Sequence, residues 1–363
     1  MHKSSEIGTD YNTNILLASA SVFAFAGAAA AEVTFSGDAT LGYNDEAAFG
    51  NDGFYWEGNV AVSLSQELDN GLTAGATFDW NIDNHGSDIF DDGDNHTSAN
   101  NYVLFIESDT AAMRFGNLDP VAEDNWGGVD GSAYDGFNDR DTHFDTVGFD
   151  AMLVGEITYG GVDGMISYGV DMDTTNNPLD ALQLYVSSDF GGASVELAYQ
   201  QAVAGTDEIL GLGVSTTLGG ADLGLAFVNA TSGQSIGLDV AYPVGPATLG
   251  GYFTSNNNDS DAYGVSVDYA DGPITVSVFY DNNVDNTAED YGIEGSYDVG
   301  NGLMLMAGVT DAGDDIYVAG NYDLGGGAAL LVSYADDKGG DSGDEIGDPE
   351  YQDGTTVEVS FEF

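Results

Sequence analysis

From Glu32 onward, apolar and polar residues alternate along the chain with a period of two. In the first segment Val33, Phe35, Leu41 and Tyr43, with the small Gly37 and Ala39, take the odd positions, while Thr34, Ser36, Asp38 and Thr40 take the even ones. Successive side chains of an extended strand point to opposite faces, so the pattern predicts a strand with one apolar and one polar face. The alternation returns at Leu72 to Asp83 and at Tyr263 to Tyr269. It closes the chain, with Val357, Val359, Phe361 and Phe363 set against Glu358, Ser360 and Glu362. No run after Glu32 carries a convincing helical period.

The strand-like runs are joined alternately by tight and by longer connections. Tight turns are expected at Asp69-Asn70-Gly71, Asp109-Thr110, Gly161 to Gly164, Phe190-Gly191-Gly192, Gly219-Gly220, Gly245-Pro246, Asp271-Gly272, Gly300-Asn301-Gly302 and Gly325 to Gly327. Longer acidic connections are expected at Asn84 to Ser98, Asp281 to Ala288 and Asp336 to Asp353. Nine hairpins with a first and a last strand make about twenty strands, with short turns at one end and long loops at the other, the layout of an outer-membrane barrel.

Composition sharpens this picture. The 363 residues hold 62 Asp and Glu against 4 Lys and Arg, a formal charge of −58. Lys3, Arg114, Arg140 and Lys338 are the only fixed cations, so the chain cannot neutralise phosphates and nucleic acid is excluded as a partner. Disorder is excluded too, because 42% apolar and 11% aromatic residues are far too many for an unfolded acidic chain. The absence of Cys rules out a disulfide scaffold and thiolate chemistry.

A soluble sandwich also alternates, but its second face would not carry Asp38, Glu57, Asp79, Asp83, Glu196, Asp268, Glu294, Glu358 and Glu362. Such carboxylates are too costly in a dry core and are at home in a water-filled lumen. The opposite face, rich in Tyr and aliphatic residues, suits a lipid-facing band edged by aromatic girdles. The expected fold is therefore all-β, a closed antiparallel transmembrane barrel of 16–20 strands over residues 32–363, with those carboxylates lining the lumen.

Residues 1–31 are expected to be a signal peptide with an atypical amino-terminal extension. Ile15 to Ala31 is uncharged, apolar and rich in Ala, and ends in Ala29-Ala30-Ala31, a small-residue cleavage site before Glu32. The segment is at the short limit for a spanning anchor. Glu6 and Asp10 in the preceding stretch are unusual, since that stretch is normally basic.

Several segments resemble the general diffusion porins of alphaproteobacteria. They are Ala31 to Ala39 (AEVTFSGDA), Met113-Arg114-Phe115-Gly116-Asn117, Tyr291 to Gly300 (YGIEGSYDVG) and Val357 to Phe363 (VEVSFEF). The resemblance covers the chain after Glu32 in pattern but is close only in these stretches. It implies sixteen strands, a homotrimer, a third external loop folded inward as a constriction, and a terminal Phe363 read by the outer-membrane insertion machinery. It also implies a cluster of Arg and Lys on the wall opposite the loop, and here that cluster is nearly absent.

Leu118 to Gly148 is the longest stretch without a strand pattern, and long loops inside compact folds are usually functional. It follows the fifth expected strand, so it is the candidate constriction loop. Its residues Asp119, Glu123, Asp124, Asp130, Asp135, Asp139, Arg140, Asp141 and Asp145, with Arg114 on the strand entering it, are the candidate constriction residues. Trp126, Tyr134, Phe137 and Phe144 are candidate anchors against the wall. Arg114 faces the lumen if Met113 and Phe115 face out; it is equally suited to pair with a nearby acid.

No catalytic constellation is found. His2, His85, His96 and His143 show no recurring ligand spacing. Asp88 to Ala99 and Asp281 to Gly292 lack the closing Glu of a calcium loop, and Gly339 to Asp348 lacks a repeat. No cofactor is implied, although clustered loop carboxylates suit weak Ca2+ or Mg2+ binding.

The expected function is passive diffusion of small hydrophilic solutes and cations through a porin, not enzymatic catalysis. The expected setting is the outer membrane of a Gram-negative bacterium, among lipid and lipopolysaccharide. The competing expectation is a non-conducting acidic outer-membrane or secreted protein that binds divalent cations. Amino-terminal sequencing of the membrane-embedded protein should give Glu32 as the first residue; Met1 or His2 there would overturn the expected cleavage.

Overall fold

The computed structural model describes residues 31–45, 53–83, 96–129, 151–170, 179–203, 207–257, 261–284, 288–310, 313, 315–336, 351 and 353–363. For 82–83, 96–100, 179–180, 283–284 and 288–290 it describes the backbone but not side-chain burial. Most of the expected signal segment lies outside these residues.

Five strands open the chain, β1 (Glu32–Asn44), β2 (Phe54–Glu67), β3 (Thr73–Asp83), β4 (His96–Glu107) and β5 (Ala111–Gly116), followed by a short helix α1 (Val121–Asn125). Next come β6 (Ala151–Tyr159), β7 (Val162–Val170), β8 (Leu179–Phe190), β9 (Ala193–Gln200), β10 (Ile209–Leu218), β11 (Ala221–Ala230), β12 (Gln234–Val244) and β13 (Ala247–Asn256). The last seven are β14 (Ala262–Asp271), β15 (Ile274–Val284), β16 (Ala288–Gly300), β17 (Leu303–Thr310), β18 (Asp315–Gly325), β19 (Ala328–Asp336) and β20 (Gly354–Glu362).

Each strand pairs antiparallel with the next. β20 returns to pair with β1, so the sheet closes with no edge, as a sheet in lipid must. Phe363 extends this seam: its N–H donates to the Gly37 carbonyl at 2.7 Å and its carbonyl accepts from the Gly37 N–H at 3.2 Å. At the other end of the seam the Asn44 amide donates to Thr356 Oγ1 at 2.9 Å and to the Asp353 carbonyl at 3.0 Å.

Twenty strands correct the sixteen that the family resemblance implies. The turn expected at Gly161 to Gly164 lies earlier, because Tyr159 pairs with Val162 and leaves Gly160-Gly161 as the turn. Both have positive φ, 63° and 82°, the conformation a two-residue hairpin of this kind requires. The turn expected at Asp271-Gly272 is Gly272-Pro273, since Asp271 still pairs with Ile274. The long connection expected at Asp281 to Ala288 is also corrected: β15 runs to Val284 and β16 starts at Ala288, with a register shift between Asp281 and Val284.

The outer face is an apolar belt with aromatic residues toward both rims. Tyr43, Phe54, Tyr263, Tyr291 and Tyr334 sit near the long-connection end, and Tyr159, Phe190, Tyr242, Tyr297, Tyr322 and Phe361 near the short-turn end. Between them Leu238, Val265, Ile293 and Val318 are exposed, which is favourable only against hydrocarbon.

The two faces should therefore respond oppositely to one charge. Val318→Lys, at an outward position 55% exposed, should cost roughly 2–4 kcal/mol and lower assembly. Asn321→Lys, on the inner face of the same strand, should be tolerated. Unfolding titrations in detergent or lipid compare the two, and equal losses would contradict the assignment of faces.

Candidate functional site

The inner face is set by register. Asp38 pairs with Asn59 and Glu362, Glu57 with Thr40 and Asp83, and Asp79 with Ala61, all on the face away from Phe35 and Leu41. Glu196 pairs with Ser187 and Gly213, Asp268 with Thr248 and Ser277, Glu294 with Ser277 and Gly308, and Glu358 with Gly42 and Leu331. These seven of the nine carboxylates named for the lumen thus lie on the inner face, spread around the ring.

Between β5 and β6 the chain turns into the barrel. Among the described residues of the Leu118 to Gly148 stretch, Val121, Ala122, Trp126 and Val129 are buried against Met152, Val154, Tyr185, Ala198, Ile209, Ala226 and Val228. The wall is built of small residues to receive them. Trp126 lies over Gly211, where an added Cβ would stand 2.8 Å from its ring, and Val129 lies over Gly237, with 2.6 Å to its Cβ.

Helix α1 has no side-chain cap of its own, because Pro120 stands at its start. The wall supplies the acceptors instead. Ser167 Oγ accepts from the Val121 N–H at 3.1 Å, and Gln183 Oε1 accepts from the N–H groups of Ala122 at 2.8 Å and Glu123 at 3.3 Å. Gln183 is held in turn by donating to Gln200 Oε1 at 2.7 Å. Farther along, the Gly127 N–H and the Tyr185 hydroxyl both donate to Glu196 Oε2, at 3.3 and 3.1 Å.

Gln183 reaches this position through a bulge. Gly169 pairs with Asp180 but Ser167 with Gln183, so β8 carries one extra residue, and Ala181 takes up the strain at φ 48°. A regular strand would have turned Gln183 outward.

Of the candidate constriction residues, Asp119 and Asp124 are exposed and Glu123 is half-buried. Trp126 is buried as an anchor. Asp130, Asp135, Asp139, Arg140, Asp141 and Asp145, with Tyr134, Phe137 and Phe144, lie outside the described residues. Arg114 is on the inner face, with its guanidinium 2.8 Å from Glu156 and 3.0 Å from Glu107 and 5.9 Å from the Phe105 ring centroid. It is the only Lys or Arg among the described residues. No group of three or more His, Asp or Glu able to hold a metal occurs among the described residues.

Three inner-face carboxylates accept hydrogen bonds from tyrosine hydroxyls. Tyr55 on β2 lies across Gly42 of β1 and donates to Glu358 of β20 at 2.6 Å. Tyr317 on β18 lies across Gly308 of β17 and donates to Glu294 of β16 at 2.6 Å. Tyr252 on β13 lies across Gly264 of β14 and donates to Asp281 of β15. In all three the Tyr, Gly and acid share one register line across three strands. The ring needs the missing Cβ, since a side chain on the central residue would collide with it.

These inner tyrosines were not legible from the period-two pattern, which assigns Tyr to the lipid face. Their signal is an inner-position Gly paired with Tyr on one side and an acid on the other, and it exists only once register is known. Glu107 and Glu156 were missed for the same reason. So was Tyr351, which closes the Asp336 to Asp353 connection and is buried at 1% exposure inside the barrel against Met306, Tyr317, Ala319 and Ala335.

Removing one hydroxyl tests the register line. Tyr317→Phe should destabilise the barrel by about 1.5–3 kcal/mol, the usual worth of a hydrogen bond to a charged group. Gly308→Ala should cost at least as much by displacing the ring. Denaturant unfolding in detergent measures both, and a neutral Tyr317→Phe would show that the Glu294 contact contributes nothing.

The chain matches the family model for Gram-negative porins over residues 18–342. No curated protein matches it. Among solved structures it is similar to engineered variants of the porin of Rhodopseudomonas blastica. One is 16% identical with a TM-score of 0.41 and another 15% identical with a TM-score of 0.39, each covering 92% of this chain and 100% of that one.

Proposed function

The chain belongs to the Gram-negative porin family and is an outer-membrane porin, and from that premise we propose a passive, water-filled channel that favours cations and passes small hydrophilic solutes. The observation that carries the charge preference is the inner wall itself. Carboxylates are spread around it, and the sole described fixed cation, Arg114, is bound between two of them. Low-dielectric walls focus such a field into the aqueous path, raising cation and lowering anion concentration there.

The segment from Leu118 is assigned the constriction, because its described part is seated inside the barrel and presents Asp119, Glu123 and Asp124. Cleavage before Glu32, assembly as a homotrimer among lipid and lipopolysaccharide, and recognition of Phe363 by insertion machinery are proposed with it, on family membership. No catalytic role or cofactor is proposed; weak Ca2+ or Mg2+ binding by loop carboxylates fits the charge.

The test is the zero-current potential across a planar bilayer in a KCl gradient. A carboxylate about 10 Å from the path is worth ~0.4 kcal/mol to a monovalent ion in water and ~0.15 kcal/mol after one Debye length at 0.1 M salt. Because cations gain what anions lose, Asp119→Asn, Glu123→Gln and Asp124→Asn together should lower the cation-to-anion permeability ratio by about three- to fivefold in 0.1 M KCl. The effect should shrink in 1 M KCl, where the Debye length is about 3 Å. Asp69→Asn, Asp109→Asn and Asp271→Asn, at the short-turn end, should change it less. An anion-selective wild type would sink the electrostatic reading, and equal shifts from both sets would sink the constriction assignment.

A further inference from the structure

The inner wall holds one site filled by the chain's own cation and a second of similar build with a serine in the cation's place. In the first, Phe105 of β4 lies across Gly75 of β3, and Glu107 follows two residues on along the same inner face. Arg114 of β5 is paired with Phe105. Its guanidinium stands 5.9 Å from the ring centroid and bonds Glu107 at 3.0 Å and Glu156 at 2.8 Å. An aromatic face beside carboxylates is thus what this wall offers a guanidinium.

Phe279 of β15 repeats the arrangement. Its ring lies across Gly292 of β16, where an added Cβ would stand 2.7 Å from two ring carbons, and Asp281 follows two residues on. A phenylalanine on the polar face breaks the period of two, and unlike Tyr55, Tyr252 and Tyr317 it has no hydroxyl to give an acid. On its other side Phe279 is paired not with arginine but with Ser266 of β14, which is in turn paired with Gly250 of β13.

The floor beside the ring is therefore of small residues, Ser266 and Gly250, and acids border it at both ends. Asp281 lies on the register line toward the long connections and Asp268 on the line toward the short turns, each about 7–8 Å from Ser266 along or diagonally across the strands. The Ser266 and Ser277 hydroxyls donate to Asp268 at 3.1 and 2.8 Å, which uses about half of what an ionised carboxylate accepts. Phe279, Ser266 and Asp268 are all half-buried.

We propose that this part of the wall binds a guanidinium-type organic cation, seated over Ser266 between Asp268 and Asp281 and against the ring of Phe279. The proposal rests on the channel reading given above and names a solute class for it. Carboxylates alone attract every small cation alike. A planar, weakly hydrated guanidinium also gains from an aromatic face, which a compact hydrated ion such as K+ does not share to the same degree.

The experiment titrates ethylguanidinium chloride against the full chain in maltoside micelles and reads the dissociation constant from broadening of the probe's proton NMR signals. Ethylurea, of the same shape and uncharged, is the control. Wild type should bind ethylguanidinium saturably and ethylurea not. Phe279→Leu should weaken binding about two- to fivefold, the worth of one exposed aromatic face to a cation. It should leave the K+ to Cl− permeability ratio in planar bilayers unchanged, because no charge is altered. Ser266→Arg, which restores the pairing that Arg114 has with Phe105, should abolish saturable binding. A folded Phe279→Leu barrel that binds as tightly as wild type would overturn the role of the ring. If Phe279→Leu does not assemble, wild type decides: saturable binding of ethylguanidinium alone supports the site, and equal binding of both probes, or of neither, overturns it. A cation-favouring wild type without the site leaves the channel reading intact, whereas an inserted wild type that conducts no ions would overturn that reading itself.

Discussion

Every backbone N–H and C=O within the hydrocarbon must be paired, and the bond that makes this possible is the return of β20 to β1. An open sheet of the same sequence would expose two edges to lipid. Closure fixes which face is inside, and the period of two then decides the chemistry of both faces at once. The seam is reinforced at both ends, by the Gly37–Phe363 backbone pair and by the Asn44 bonds to Thr356 and Asp353. Phe363 is therefore part of the ring.

Closure also turns a large surplus of carboxylates toward a common space. An ionised carboxylate only accepts hydrogen bonds, and this chain has 4 Lys and Arg for 62 acids. The inner wall meets the shortage with neutral donors. Tyr55, Tyr252 and Tyr317 reach across glycines to Glu358, Asp281 and Glu294, and Tyr185 with the Gly127 N–H serves Glu196. A phenol adds a donor without cancelling the charge, so the wall is ordered and still negative. A lysine in each place would have satisfied the same acids and neutralised the lumen.

What was legible in the sequence follows from what is local. Alternation along a strand and glycine-rich turns need only neighbouring residues, so a barrel of 16–20 strands was readable from Val33 to Phe363, and pairing fixes the number at twenty. Turn positions slipped by a residue or two, as at Gly160-Gly161, because several adjacent glycines can all adopt positive φ and only pairing chooses among them. The Asp281 to Ala288 stretch looked like a loop because Asp and Asn disfavour strands, yet pairing with β16 carries β15 to Val284. Features that depend on register across strands were out of reach: the Tyr–Gly–acid lines, the bulge at Ala181 that turns Gln183 inward, and the seat of Tyr351. Trp126 could be anticipated, since a large aromatic in a polar stretch needs somewhere to be buried. The glycine it rests on could not.

Barrel width and screening together decide where charge can matter. In a lumen roughly 30 Å across, an ion on the axis is about 15 Å from the wall, beyond the ~8–10 Å Debye length of dilute or physiological salt. Carboxylates such as Asp38 and Asp79 then hold a layer of counterions along the wall but act weakly on the axis. Discrimination requires bringing charge to within a Debye length of the whole cross-section, and only chain inserted into the lumen can do that. The segment carrying Asp119, Glu123 and Asp124 is seated inside the barrel on Val121, Ala122, Trp126 and Val129 and is placed to do so. On the channel reading proposed above, the strands of a barrel of this girth provide passage, while selection by charge falls to the inserted residues.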